Sequence, residues 1–189
     1  MKRIAILASG AGSNAANILD YFKSKDVAEV VLIASNKADA GVLKIATAHM
    51  IPTFILTKEN FRESDAFIGE LKSRQVDFIV LAGFLWKVPA AMVEQFPRHI
   101  INIHPSLLPK YGGKGMYGHF VHEAVHAANE SESGITIHWV NEHYDEGAII
   151  AQYRTQISIN DSVTDIEHKV RTLEKMWFPK VIESVLIGS

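Results

Sequence analysis

The chain has 189 residues, 48% of them hydrophobic, enough for one sizeable core, and a formal net charge of −2, which gives no footprint for nucleic acid or a membrane surface. It has no cysteine, which excludes disulfides, thiolate metal sites and a cysteine nucleophile and suits a cytoplasmic, reducing setting. No apolar stretch approaches the roughly 18 residues of a membrane span, and the N-terminal apolar run meets a glycine turn too early for a signal peptide.

In chain order, the apolar run 4–8 reads as a parallel strand buried on both faces. Ser9-Gly10-Ala11-Gly12-Ser13-Asn14 follows, then a helix over 15–22 with Ser13 or Asn14 as N-cap. Strand, glycine turn and helix is an arrangement that binds phosphate, because glycines let backbone N–H groups approach an anion and the helix N-terminus carries partial positive charge. The plain alternative is a tight turn with no ligand. Gly10 to Ala15 also fits the relaxed G-x-G-x-x-A dinucleotide fingerprint, but the second strand, 27–35, is followed by Asn36-Lys37 with no acid before Asp39, which counts against a nicotinamide cofactor.

The alternation continues with a helix at 40–49, a strand at 53–56, a longer helix at 59–74, a strand at 77–83, a short helix at 89–96 and a strand at 100–103. This spacing predicts a Rossmann-like α/β fold, a mostly parallel sheet with helices on both faces. After Pro109 comes the glycine-rich stretch 112–118, either a surface connection or a lid beside a site. A helix is expected at 119–128, then strands at 133–140 and 148–156, the first half-exposed and antiparallel, so the sheet becomes mixed in its C-terminal third. The last helix starts at Ser162 with Asp165 completing a capping box, and Pro179 is expected to bend or end it. Glu174 falls inside that helix's apolar stripe, so it needs either a protein partner or a ligand hydroxyl or amine.

Asn102 and His104 alternate along one strand face, and Pro105 ends that strand. An amide and an imidazole at the carboxyl end of a strand lie where open α/β sheets bind ligands. Asp145, in the later polar turn, is the carboxylate that completes a set; a structural turn role is its alternative. Asn, His and Asp without a Ser or Cys nucleophile suit a reaction in which a substrate amine attacks an acyl group and the protein stabilises the oxyanion. A competing motif is His122-Glu123-Ala124-Val125-His126, a literal H-E-x-x-H whose zinc reading lacks a clear third ligand.

The stretch Asn102-Ile103-His104-Pro105-Ser106-Leu107-Leu108-Pro109, with Gly10-Ala11-Gly12-Ser13-Asn14, Ala82-Gly83-Phe84, Lys110-Tyr111 and Tyr144-Asp145-Glu146-Gly147, resembles the folate-dependent formyltransferases over nearly the whole chain. The resemblance implies formyl transfer from 10-formyltetrahydrofolate, a co-substrate, to the amine of glycinamide ribonucleotide in purine biosynthesis, without metal, nucleic acid or membrane. It implies Asn102, His104 and Asp145 as catalytic residues, Gly12, Ser13 and Asn14 for the ribosyl phosphate, and Glu174 for the ribose hydroxyls. It also implies Arg62, Leu85, Trp86, Lys87 and Val88 on one side of the folate, and Val140, Asn141 and Tyr144 on the other. One domain over 1–189 is expected, with a phosphate-binding half (1–105) and a folate and catalytic half (106–189). The length fits family members that act on small substrates, with formyltetrahydrofolate hydrolysis as the alternative. Two departures stand out: Glu146 replaces the first glycine of the common Asp-Gly-Gly turn, and 112–118 differs from the loop of many members.

Overall fold

A computed structural model describes residues 1–63 and 65–188. Seven strands form one Rossmann-like sheet in the order β3-β2-β1-β4-β5-β6-β7. The parallel part comprises β1 (Lys2–Leu7), β2 (Ala28–Ser35), β3 (Thr53–Ile55), β4 (Phe78–Leu81) and β5 (Ile100–His104), while β6 (Glu132–Trp139) and β7 (Ile149–Gln156) add on antiparallel. The apolar runs have a simple cause. Ile4, Ile6 and Ala8 of the first strand and its exit face one core cluster, while Ala5 and Leu7 face the other. Each large aliphatic side chain so buried contributes about 1.5–3 kcal/mol of transfer free energy.

Helices α1 (Ser13–Phe22), α2 (Gly41–Ala48), α5 (His119–Ala127) and α6 (Val163–Ile187) cover the first face, and α3 (Ala66–Ser73) and α4 (Ala90–Gln95) the second. The chain departs in opposite directions from β1 and β4, so a crevice opens at their carboxyl ends, the expected position for a ligand. Ser9 ties its two rims together. Its N–H donates to Gly83 O (3.0 Å), and its Oγ accepts from Leu85 N (2.9 Å).

Several expectations need correction. The helix read over 59–74 is a single π-helical stretch, Glu59–Glu63, followed by α3; Ser64, inside the range, lies outside the described residues. Asn60 and Thr57 exchange side-chain-to-backbone hydrogen bonds (Thr57 N to Asn60 Oδ1, 2.8 Å), a local capping arrangement that competes with a regular helical start. The N-cap of α1 is neither Ser13 nor Asn14 but Gly12, left-handed at φ 85°. A Cβ there would lie 2.8 Å from Val42 Cα, so only glycine fits the turn. Strand β6 is buried along most of its length rather than half-exposed, because α5 and α6 cover one face and the loop after β5 covers the other.

Pro179 does not end α6, which continues to Ile187. Proline removes one N–H, orphaning the carbonyl four residues earlier. That carbonyl, Lys175 O, accepts instead from Asn17 Nδ2 of α1 at 2.9 Å, while Pro179 itself is buried in the core.

Candidate active site

The first cleft wall is the uncapped start of α1. No side chain caps that helix, and the turn at Gly12, Ser13 and Asn14 opens into a cleft of about 620 Å³. Its first N–H groups therefore point at the cleft with their dipole unneutralised. Lys37, Lys114 and Arg171 line the same cleft. Asn14 turns its amide to α6 and donates to Glu174 Oε2 at 2.9 Å. The partner of Glu174 is thus an amide from the phosphate-type turn rather than a Lys, an Arg or a hydroxyl. Burial pushes the Glu174 carboxyl up, against the pull of Asn14 and Arg171.

The opposite wall comes from strand pairing. In the antiparallel pair β5–β6, Asn102 stands opposite His138 and His104 opposite Thr136. Directly opposed residues share a face, so the pairing brings four polar side chains to one surface. Thr136 Oγ1 donates to Ser106 O (2.7 Å) and accepts from Leu108 N (2.9 Å), which fixes the chain beyond Pro105. His104 Nε2 lies 2.7 Å from Tyr111 O. A carbonyl only accepts, so Nε2 carries the proton and Nδ1 is the nitrogen left for chemistry.

Asp145 reaches this surface from the turn after β6, at φ 56°. Its Oδ2 accepts from Gly113 N (2.9 Å) and lies 3.5 Å from His104 Nδ1; its Oδ1 lies 3.4 Å from Asn102 Nδ2 and 3.6 Å from His138 Nε2. Burial works against the charged carboxylate, but the His138 and His104 rings, whenever they carry a proton towards it, and the Gly113 N–H outweigh burial and hold the Asp145 carboxyl below its ordinary value. Burial likewise pushes His104 down; the charge of Asp145 and the Tyr111 carbonyl oppose it without cancelling it. Burial thus favours the neutral ring, whose Nδ1 faces Asp145.

Residues Leu85, Trp86, Lys87 and Val88 also line the cleft, as do Val140, Asn141 and Tyr144. Arg62 does not line it. The π-helical stretch holds its guanidinium over the Trp86 ring, 5.1 Å from the ring centre. The glycine-rich stretch does line it, through 113–118.

Of the H-E-x-x-H motif, His122 is buried and His126 exposed, so the two rings do not converge. Among the described residues no group of three or more potential metal ligands stands together. His122 lines the cleft with Nδ1 buried and unpartnered, and burial pushes its pKa down to about 4 despite Glu167, with His119, Arg171 and His104 pushing the same way as burial. The folded pKa is depressed below the ordinary value near 6.5, so the stability tied to the neutral ring is complete above that value and is lost as pH falls towards 4. At about 1.4 kcal/mol per unit this is on the order of 3 kcal/mol. Melting curves from pH 7 to pH 4.5 should show the wild type losing more stability than His122→Phe; parallel curves would contradict the assignment.

A family model described as formyl transferase matches residues 2–182. The chain belongs to the formyl transferase family. Among relatives in this family, it is 40% identical over 188 residues to a phosphoribosylglycinamide formyltransferase of Haemophilus influenzae, covering 97% of this chain and 86% of that one. It is 37% identical over 190 residues to the chloroplastic phosphoribosylglycinamide formyltransferase of Arabidopsis thaliana, covering 97% of this chain but only 65% of the plant protein's length. The crystal structure of the formyl transferase phosphoribosylglycinamide formyltransferase from Bacillus halodurans superposes with a TM-score of 0.88 at 34% identity, covering 98% of this chain and 95% of that one.

Sequence reasoning missed His138 and Arg171. His138 alternates with Thr136, which marked the face it occupies, but nothing local says that β6 lies beside β5. Arg171 stands three residues before Glu174 on α6, so helical spacing alone places both on one side.

Proposed function

We propose that this protein transfers a formyl group from 10-formyltetrahydrofolate to the amine of glycinamide ribonucleotide, a step of purine biosynthesis. The observation that carries the reading is the meeting of Asn102, His104 and Asp145 at one cleft, with the uncapped start of α1 lining another part of it. The turn at Gly12, Ser13 and Asn14 takes the ribosyl phosphate through backbone N–H groups. Glu174 accepts from the ribose hydroxyls, which adds partners to a half-buried carboxylate held by one amide. The folate lies between 85–88 and 140–144, with Arg62 acting through Trp86 rather than by direct contact.

The neutral amine attacks the formyl carbon, forming a C–N bond and an oxyanion. Asn102 donates an amide hydrogen to that oxygen. The nitrogen that attacked loses a proton to Asp145, directly or through water, and the proton passes to His104 Nδ1, the one ring nitrogen not committed to Tyr111. The imidazolium so formed pairs with Asp145 and faces the oxyanion. Collapse breaks the bond from carbon to N10, and N10 takes the proton, giving formylated amine and tetrahydrofolate.

The test is to mix the protein with formyl donor and glycinamide ribonucleotide and follow formylated product. Product that depends on both substrates supports the reading. Donor cleavage without the amine, at the same rate, would replace it with hydrolysis.

A further inference from the structure

We propose that His138 is a positioning residue for formyl transfer: its bare Nε2 holds one hydrogen of the Asn102 amide and so aims the other at the place where the oxyanion forms. This rests on the formyl-transfer reading above. His138 Nδ1 lies 2.9 Å from Trp139 O, and a carbonyl offers no hydrogen, so Nδ1 carries the ring proton. Its Nε2 is then a lone pair, 3.1 Å from Asn102 Nδ2. The His138 side chain is only 3% exposed, so water is a poor substitute for this acceptor.

The arrangement also decides which way the amide faces. On this side Asn102 meets two acceptors, His138 Nε2 and Asp145 Oδ1. The reverse orientation would set the amide oxygen against both. The amide nitrogen lies 3.1 Å from the ring nitrogen and 3.4 Å from Asp145 Oδ1, so the contact to Asp145 is the looser one and can be given up to an oxyanion. Without the ring, the amide rotates and its hydrogens are shared differently. The protonation of His138 is set by its neighbour's backbone, and the ring reaches the reaction only through Asn102.

The experiment compares His138→Leu, which fills the space without an acceptor, with His138→Gln, whose amide oxygen restores one. Turnover of His138→Leu should fall by up to about 100-fold, the low end of what losing one oxyanion donor costs, since the amide itself stays in place, with KM for both substrates within about twofold. His138→Gln should recover about tenfold of that loss, with both variants melting cooperatively. Unchanged turnover in His138→Leu, a loss confined to KM, or a folded His138→Gln no better than His138→Leu would overturn the proposal.

A readout independent of activity, and of whether the leucine variant folds, is the ¹⁵N spectrum of the wild-type histidine rings. His138 protonated on Nδ1 with Nε2 bare is expected; the opposite tautomer would overturn it. A wild type that forms no product removes the formyl-transfer reading, whereas an active wild type with an equally active His138→Leu removes only this inference.

Discussion

Asp145→Asn lowers the turnover of formyl transfer by about 10²- to 10⁴-fold, the range lost with a general acid–base group, and leaves KM for both substrates nearly unchanged. The substitution keeps the side chain's volume and an oxygen for the Gly113 N–H, so the turn stays in place. What goes is the charge beside His104 Nδ1 and the acceptor for the amine's proton. The charge of Asp145 is the leading influence that raises the His104 pKa against burial, so in the variant that pKa falls further. Titration of the His104 C–H resonance should therefore move to lower pH than in the wild type. Turnover within about threefold of wild type, or a His104 titration that does not move, would remove Asp145 from the mechanism.

Gly147→Ala is expected to damage stability and activity together. A Cβ at this position would stand 1.7 Å from Trp139 O, a backbone atom that has no room to yield. The same oxygen accepts from His138 Nδ1 at 2.9 Å, so the clash falls on the group that orients Asn102 and on the turn that carries Asp145. Overpacking of this kind costs about 1–3 kcal/mol, and more where backbone has to move. A clear drop in melting temperature should accompany a loss of turnover exceeding that of an equally destabilised core variant. Glu146→Gly is the control. Glu146 is exposed, which explains why this chain tolerates a charged residue where glycine is common, and its replacement should leave turnover within about twofold. A wild-type-like Gly147→Ala would mean that the turn accommodates a side chain after all.

Much of the fold was legible because the central parallel strands, β1 over Ile4–Leu7 and β4, are buried on both faces and so appear as unbroken apolar runs. Asn102 and His104 were legible for the same local reason, strict alternation ending at a proline. The misreadings arose where a distant residue decided the local outcome. Pro179 looked like a helix breaker because its orphaned carbonyl is met by Asn17, more than 150 residues earlier. Ser13 and Asn14 looked like caps because both have capping side chains, but Asn14 is drawn to Glu174 and the turn requires the left-handed glycine before them. Arg62 is expected beside the folate by resemblance; its position over Trp86 rests on a π-helical turn that composition does not signal. His138 was hidden by strand order.

The bonds between α1 and α6 also bear on how the molecule is made. Asn14 meets Glu174, Asn17 meets Lys175 and Tyr21 meets Glu183, so the turn that would hold phosphate is braced by the last helix of the fold. A ribosome releases these partners in order, and α1 emerges long before its brace. Joining them closes a loop of nearly the whole chain, a cost that later contacts must offset. The nascent chain thus has no braced turn at the start of α1 until α6 has left the exit tunnel.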